Sequence, residues 1–431
     1  MDSNAVVTSS GIPTPTPPQI QSIAALLPAE IVGCNFSHFD LNYSLDAYAD
    51  DRAERIRTLS NLSVVAEGWN WPARRLLFRT VRIRGLEHIM EHLEERAGLE
   101  IRSLLLNLSQ PNWSTLTRQE TVGPIFKLLK KTPNLRQLRL SDLPFTSFNP
   151  ADSTTMQDTL LLPHLSDLTI IGSRNPFPQS VVSGLLKTSG HRISRFKVSG
   201  YQLDTIAPSE EHQLDFGGKL RYLEIESSSS QMLLQPPRMD LKTLEGLQEL
   251  HLNDCAYDAA DRTPKFFEII APTLDKLTIS DKYPASVARC LPRRTHLSRL
   301  HLYALPSESA LFYHLPPSLS FLRLRHDGHL LNILTRWNVE PSLVPATLNH
   351  ILIDDIDNGD ALRLLPSLNK LGTNWHGLTA EFLAQLRPGT TPSKVLEMYF
   401  SRDNEERIPG IEAECKRLGV KFCRRTQAWD H

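Results

Sequence analysis

The chain has 431 residues, more than one ordinary core accommodates, so it is either a repeat protein or a set of domains. Lysine and arginine total 47 against 48 aspartate and glutamate, and so neutral a chain makes no global case for binding a polyanion. The five cysteines (Cys34, Cys255, Cys290, Cys415 and Cys423) form no C-x-x-C pair, which argues against a disulfide framework or zinc site, and no apolar run approaches a membrane span.

Residues 1–19 are rich in Pro, Thr and Ser and read as a disordered leader. They lack the charged start and apolar core of a signal peptide, so the expected location is the cytoplasm, the nucleus or both. From about Ile20 the pattern is helical. Leu59, Leu62, Val65 and Trp69 recur at helical intervals and make one apolar face. Pro72 suits the first turn of a following helix that carries Leu76, Leu77 and Phe78 inward. "TVRIRG" then alternates as a strand, Val81 and Ile83 inward, Arg82 and Arg84 outward. Taken alone, the Trp- and Arg-rich stretch from Trp69 to Gly85 suggests a nucleic-acid patch. Its arginines occupy outer faces, however, and Glu87, Glu91, Glu94, Glu95 and Glu100 follow closely as counter-charges. No nucleic-acid partner and no membrane partner is expected.

Beyond this point one pattern dominates: apolar, two residues, apolar, one residue, apolar. It occurs as Ile101-Leu104-Leu106, Leu135-Leu138-Leu140, Leu165-Leu168-Ile170, Ile193-Phe196-Val198 and Leu220-Leu223-Ile225. It continues as Leu247-Leu250-Leu252, Leu274-Leu277-Ile279, Leu297-Leu300-Leu302, Leu319-Leu322-Leu324 and Leu348-Ile351-Ile353. This L-x-x-L-x-L is the leucine-rich-repeat signature, in which each repeat supplies one short strand and cannot bury its apolar side chains alone. The Asn or Cys usual at the ninth position occurs only as Cys255, so the turns should be irregular. "AECKRLGVKFCRR" reads as a last amphipathic helix and a strand around Val420 to Phe422 that close the stack. The expected fold is α/β: a short N-terminal helical module over 20–72, then an irregular solenoid over 73–425 with a curved parallel sheet and outer helices and loops. Residues 426–431 form a tail.

Ahead of the repeats, "LLPAEIVGCNFSHF" (Leu26 to Phe39) and the Leu62, Val65 and Trp69 helix together resemble an F-box. The matching residues are Leu27, Pro28, Glu30, Ile31, Phe36, Leu62, Val65 and Trp69, and "ARRLLFRTVRI" leads on as in fungal F-box proteins with leucine-rich repeats. The resemblance implies that these residues dock a Skp-type adaptor, and through it a cullin–RING ubiquitin ligase, while the solenoid captures a protein target. Pro28 starts a helix on which Leu27 and Ile31 lie one turn apart, an apolar ridge suited to a partner's groove. The second reading makes these helices a cap on the solenoid, which must be covered for solubility, and the chain a scaffold without adaptor.

No catalytic constellation or cofactor site is found. "HIMEH" (His88 to His92) has the H-x-x-E-H spacing of a zinc site, but Leu86, Ile89, Met90 and Leu93 leave His88, Glu91 and His92 on a solvated face without a third ligand. Asp354 to Asp360 fails the calcium-loop spacing, and Gly184 to Gly190 lacks the G-K-[ST] of a phosphate loop. The candidate target-binding residues are those that alternate outward from the leucines onto the concave sheet face. They are Tyr222, Glu224, Glu249 and His251, then Arg299, His301, Tyr303, Arg323 and Arg325, an acidic stretch followed by a basic one.

Overall fold

The structure is a computed structural model that describes residues 56–61, 64, 67–83, 95–107, 118–141, 160–172, 179–200, 213–226, 238–253, 267, 269–270, 272–279, 296–302, 315–325, 330–354, 368–373, 380–384, 393–399 and 408–425. The chain separates into two compact units, Met1–Thr80 and Val81–His431.

In the first unit, residues 56–61 are helical and α1 spans Glu67–Arg79. Helix α1 runs through Pro72 rather than starting there. The proline has no N–H to bond the Gly68 carbonyl, so the helix continues with one bond fewer. Leu59 and Ala73 are buried, and Leu76, Leu77 and Phe78 are half-buried. Arg74 and Arg75 are exposed, and the Arg74 guanidinium lies 5.7 Å from the centre of the Phe78 ring one turn on.

The second unit is built on one parallel sheet in which sequence neighbours are always spatial neighbours. Its strands are β1 (Thr80–Ile83), β2 (Ser103–Asn107), β3 (Gln137–Ser141), β4 (Asp167–Ile171), β5 (Arg195–Ser199), β6 (Tyr222–Glu226) and β7 (Glu249–Asn253). They continue as β8 (Lys276–Ile279), β9 (Arg299–Leu302), β10 (Phe321–Arg325), β11 (His350–Asp354), β12 (Leu368–Thr373), β13 (Ser393–Tyr399) and β14 (Lys421–Arg425). Every leucine triad coincides with one strand from β2 to β11. All of their side chains are buried, the most accessible being Leu348 at 6%. This is a leucine-rich-repeat solenoid: each triad is covered by the triads on either side of it. Truncating one leucine in the middle, such as Leu250→Ala, therefore opens a cavity that two neighbours share, at a cost of about 2–5 kcal/mol.

Strands β12 and β13 carry no clear triad because one beat is polar in each. Thr373 takes the third position of β12, and Ser393 takes the first position of β13 in register with Leu368. The return segments include helices α2 (Glu95–Glu100), α3 (Arg118–Lys131), α4 (Gln179–Thr188), α5 (Leu330–Val339), α6 (Ala380–Ala384) and α7 (Ile408–Leu418). Ile411, Cys415 and Leu418 form the buried stripe of α7. The helix ends where Gly419 turns left-handed at φ 74 and the Val420 N–H bonds the Cys415 carbonyl at 2.9 Å. Strand β14 follows, so the helix and closing strand expected at the C-terminus are both present.

The turns are organised at an unexpected position. In five repeats the residue just before the first leucine of the triad reaches back to a carbonyl of the preceding repeat. Asn134 donates to the Leu99 carbonyl at 2.8 Å, Arg192 to Pro163 at 3.0 Å and Ser318 to Leu297 at 2.9 Å. Thr273 bonds the Glu245 and Leu247 carbonyls at 2.8 and 2.9 Å, and Thr347 the Pro317 and Leu319 carbonyls, both at 2.7 Å. Such bonds satisfy turn carbonyls that stacking would otherwise bury without partners.

Candidate protein-binding surface

Because strand side chains alternate, the sheet face opposite the leucines carries rows of residues in register. The central row runs Leu105, Arg139, Thr169, Lys197, Glu224, His251, Thr278 and His301 from β2 to β9. It goes on as Arg323, Leu352, Gly372, Glu397 and Cys423 from β10 to β14. A flanking row holds Asp167, Arg195, Tyr222, Glu249, Lys276, Arg299, Phe321 and His350.

Over β4–β8 the rows interlock. Arg195 pairs with Asp167 at 3.7 Å and stacks 4.0 Å over the Tyr222 ring. The Tyr222 hydroxyl donates to Glu224 at 2.5 Å, and Lys197 meets the same carboxylate at 2.9 Å. Burial alone would raise the Glu224 carboxyl, but the bonds from Tyr222 and Lys197 hold it below the ordinary value. Burial and the adjacent Glu224 charge push the Tyr222 hydroxyl upward. Glu249 is met by His251 at 3.6 Å and Lys276 at 3.7 Å, and these partners lower its carboxyl as well. The Tyr222 and His251 rings lie 4.9 Å apart. The acidic stretch expected over β6 and β7 is therefore matched internally by Arg195, Lys197 and Lys276.

Strands β9–β11 differ. Phe321 lies 5.2 Å from the His301 ring and edge-on to His350 at 4.6 Å, and it packs against Leu352. His350 approaches Glu397, two strands away, at 3.9 Å. Arg299 is exposed, but His301 and Arg323 are each only 4% accessible, Thr278 2% and Glu224 9%. These outward residues are thus not the solvated strand surface that alternation alone suggests. Burial, then the charges of Lys276 and Arg323, hold the His301 ring well below its ordinary value and keep it neutral.

Of the candidates read from the sequence, Tyr222, Glu224, Glu249, His251, Arg299, His301 and Arg323 lie on this one face. Arg325 occupies β10 in register with Asp354. Tyr303 lies outside the described residues, as do Leu27, Pro28, Glu30, Ile31, Phe36, Leu62 and Val65; Trp69 is in α1. His88, Glu91 and His92 also lie outside them. Lys197, Lys276, Phe321 and His350 were missed, although the x positions of the same triads mark them. Among the described residues no group of three His, Cys, Asp or Glu is placed to hold a metal, and no helix is long and apolar enough to cross a membrane.

No protein-family model matches the chain, and no curated protein matches its sequence. Solved structures of similar fold include a chain of the Rad7–Elc1 complex of yeast, 14% identical over 92% of this chain and 93% of that one, with a TM-score of 0.38. Another is the leucine-rich-repeat-containing protein LegL7 of Legionella pneumophila, 12% identical over 79% of this chain and 90% of that one, with a TM-score of 0.32. A chain of the TLR13–ssRNA13 complex is 13% identical over 80% of this chain and 52% of that one, with a TM-score of 0.31. These likenesses concern fold and assign no ligand.

Proposed function

We propose that the chain is a substrate-recognition subunit of an SCF-type cullin–RING ubiquitin ligase, whose solenoid binds a protein target. The observation that carries the binding half is the run of charged and aromatic side chains in register along one face of the sheet, the pattern a partner with its own charges would read. The adaptor half is supported by the F-box-like residues of segment 20–72, chiefly Leu27, Pro28 and Ile31, which precede the solenoid. The subunit performs no chemistry itself. It raises the effective concentration of target lysines near the ubiquitin-loaded enzyme.

The test is a pull-down of the full chain with purified Skp adaptor, wild type against Leu27→Ala/Pro28→Ala. Adaptor retention by wild type and its loss in the double variant is the expected outcome. A wild-type chain that retains no adaptor would leave only an interaction scaffold capped by a degenerate F-box.

A further inference from the structure

Strands β8–β10 present Lys276, Thr278, Arg299, His301 and Arg323 on the outward face with no carboxylate among their described outward positions. Among the polar atoms there, the Thr278 Oγ1 and the His301 Nε2 are excluded from solvent and lack a hydrogen-bond partner. They belong to side chains in register on adjacent strands. A buried polar group without a partner destabilises the fold unless ordered water or a ligand supplies one. Two such groups in register on adjacent strands, with the exposed Arg299 two residues before His301 on the same strand, offer hydrogen-bond donors to an anion.

We infer that β8–β10 form a subsite for a carboxylate side chain of an acidic peptide segment in the target protein. Arg299 meets the carboxylate at the surface. The oxygens accept hydrogen bonds from the Thr278 hydroxyl and from the His301 Nε2 when it carries the ring proton. A protein rather than a nucleic acid fits, because the cationic stretch ends at the interlocked ion pairs of β4–β8 instead of continuing along the face as a polyanion requires. The inference deepens the reading of this face as target-binding and rests on it.

The experiment is fluorescence anisotropy of the full chain with a labelled Asp/Glu-rich peptide, its Asn/Gln counterpart and an oligonucleotide of equal charge. Wild type should prefer the acidic peptide, with affinity falling as salt rises. Thr278→Val and Arg299→Ala should each weaken binding about tenfold, the loss of one charge-assisted bond. Thr278→Val should leave the melting temperature unchanged or raised, because it removes an unpaired buried hydroxyl, and this separates lost binding from lost fold. Equal binding of acid and amide peptides overturns the inference, as does wild-type affinity in both variants or equal competition by the oligonucleotide. A chain that holds the adaptor yet ignores the acidic peptide sinks this inference alone. One that binds the peptide but not the adaptor sinks the ligase reading alone.

Discussion

Single residues on the strand face carry pH dependence. The His301 ring is held neutral by burial and by neighbouring cations, so below its ordinary value of 6.5 the unfolded chain binds a proton that the folded chain refuses. Stability from this group is constant above that pH and falls as pH drops below it, by up to about 1.4 kcal/mol per pH unit. The denaturant midpoint should decline between pH 7 and pH 5.5, and His301→Phe should flatten that decline. Glu224 and Glu249, whose carboxyls are lowered, act in a more acidic window: their contribution is present above the ordinary carboxyl value of 4.5 and is lost as pH falls through their depressed values. Gly200 is constrained by backbone instead. Its φ is +74, and a Cβ there would collide with the Gly172 carbonyl, so Gly200→Ala should cost about 1–3 kcal/mol in equilibrium unfolding.

Among the elements, the turns carry what the missing ninth-position side chains do not. Thr273 and Thr347 each tie the start of one repeat to carbonyls of the repeat before it. Thr347→Val keeps the shape of the side chain and removes the donor, and should lower stability by about 1 kcal/mol in urea titration without changing the strand content. The sequence pointed to irregular turns from what the ninth position lacks, and in five repeats the replacement sits one residue before the leading leucine, where no consensus directs attention. Helix α7 shows the opposite case. Its stripe of Ile411, Cys415 and Leu418 and its closing Gly419 are both plain in the sequence, because capping and amphipathicity are local. Burial and the Glu412 and Glu414 carboxylates push the Cys415 thiol up to about 11, so alkylating reagents should modify the native protein at Cys423 well before Cys415.

For the sheet as a whole, each strand hydrogen-bonds only to its sequence neighbours, so cooperativity passes strand by strand. Amide hydrogen exchange should be slowest in the middle strands and quicken toward β14. Leu250→Ala in β7 should speed exchange in β6 and β8 before it affects the ends.

The strands and their register were legible because a triad of buried leucines leaves a periodic mark that needs no knowledge of distant residues. Leu104, Leu223 and Ile351 could be assigned inward without any contact map, and each is buried. Strands β12 and β13 escaped because a polar residue occupies one beat in each, and neighbouring strands rather than their own pattern hold them in place. The sequence by itself also marked Tyr222, Glu224, His251, His301 and Arg323 as outward. Only the tertiary structure decided what outward means for them. Strands stack about 4.8 Å apart, so a side chain in the central row is covered or paired by residues a whole repeat away. Glu224 finds Lys197, Thr278 lies between His251 and His301, and His301 loses its charge among Lys276 and Arg323. Alternation along one strand is local and can be read; burial and charge balance on the shared face are sums over neighbouring repeats and exist only once the chain has stacked.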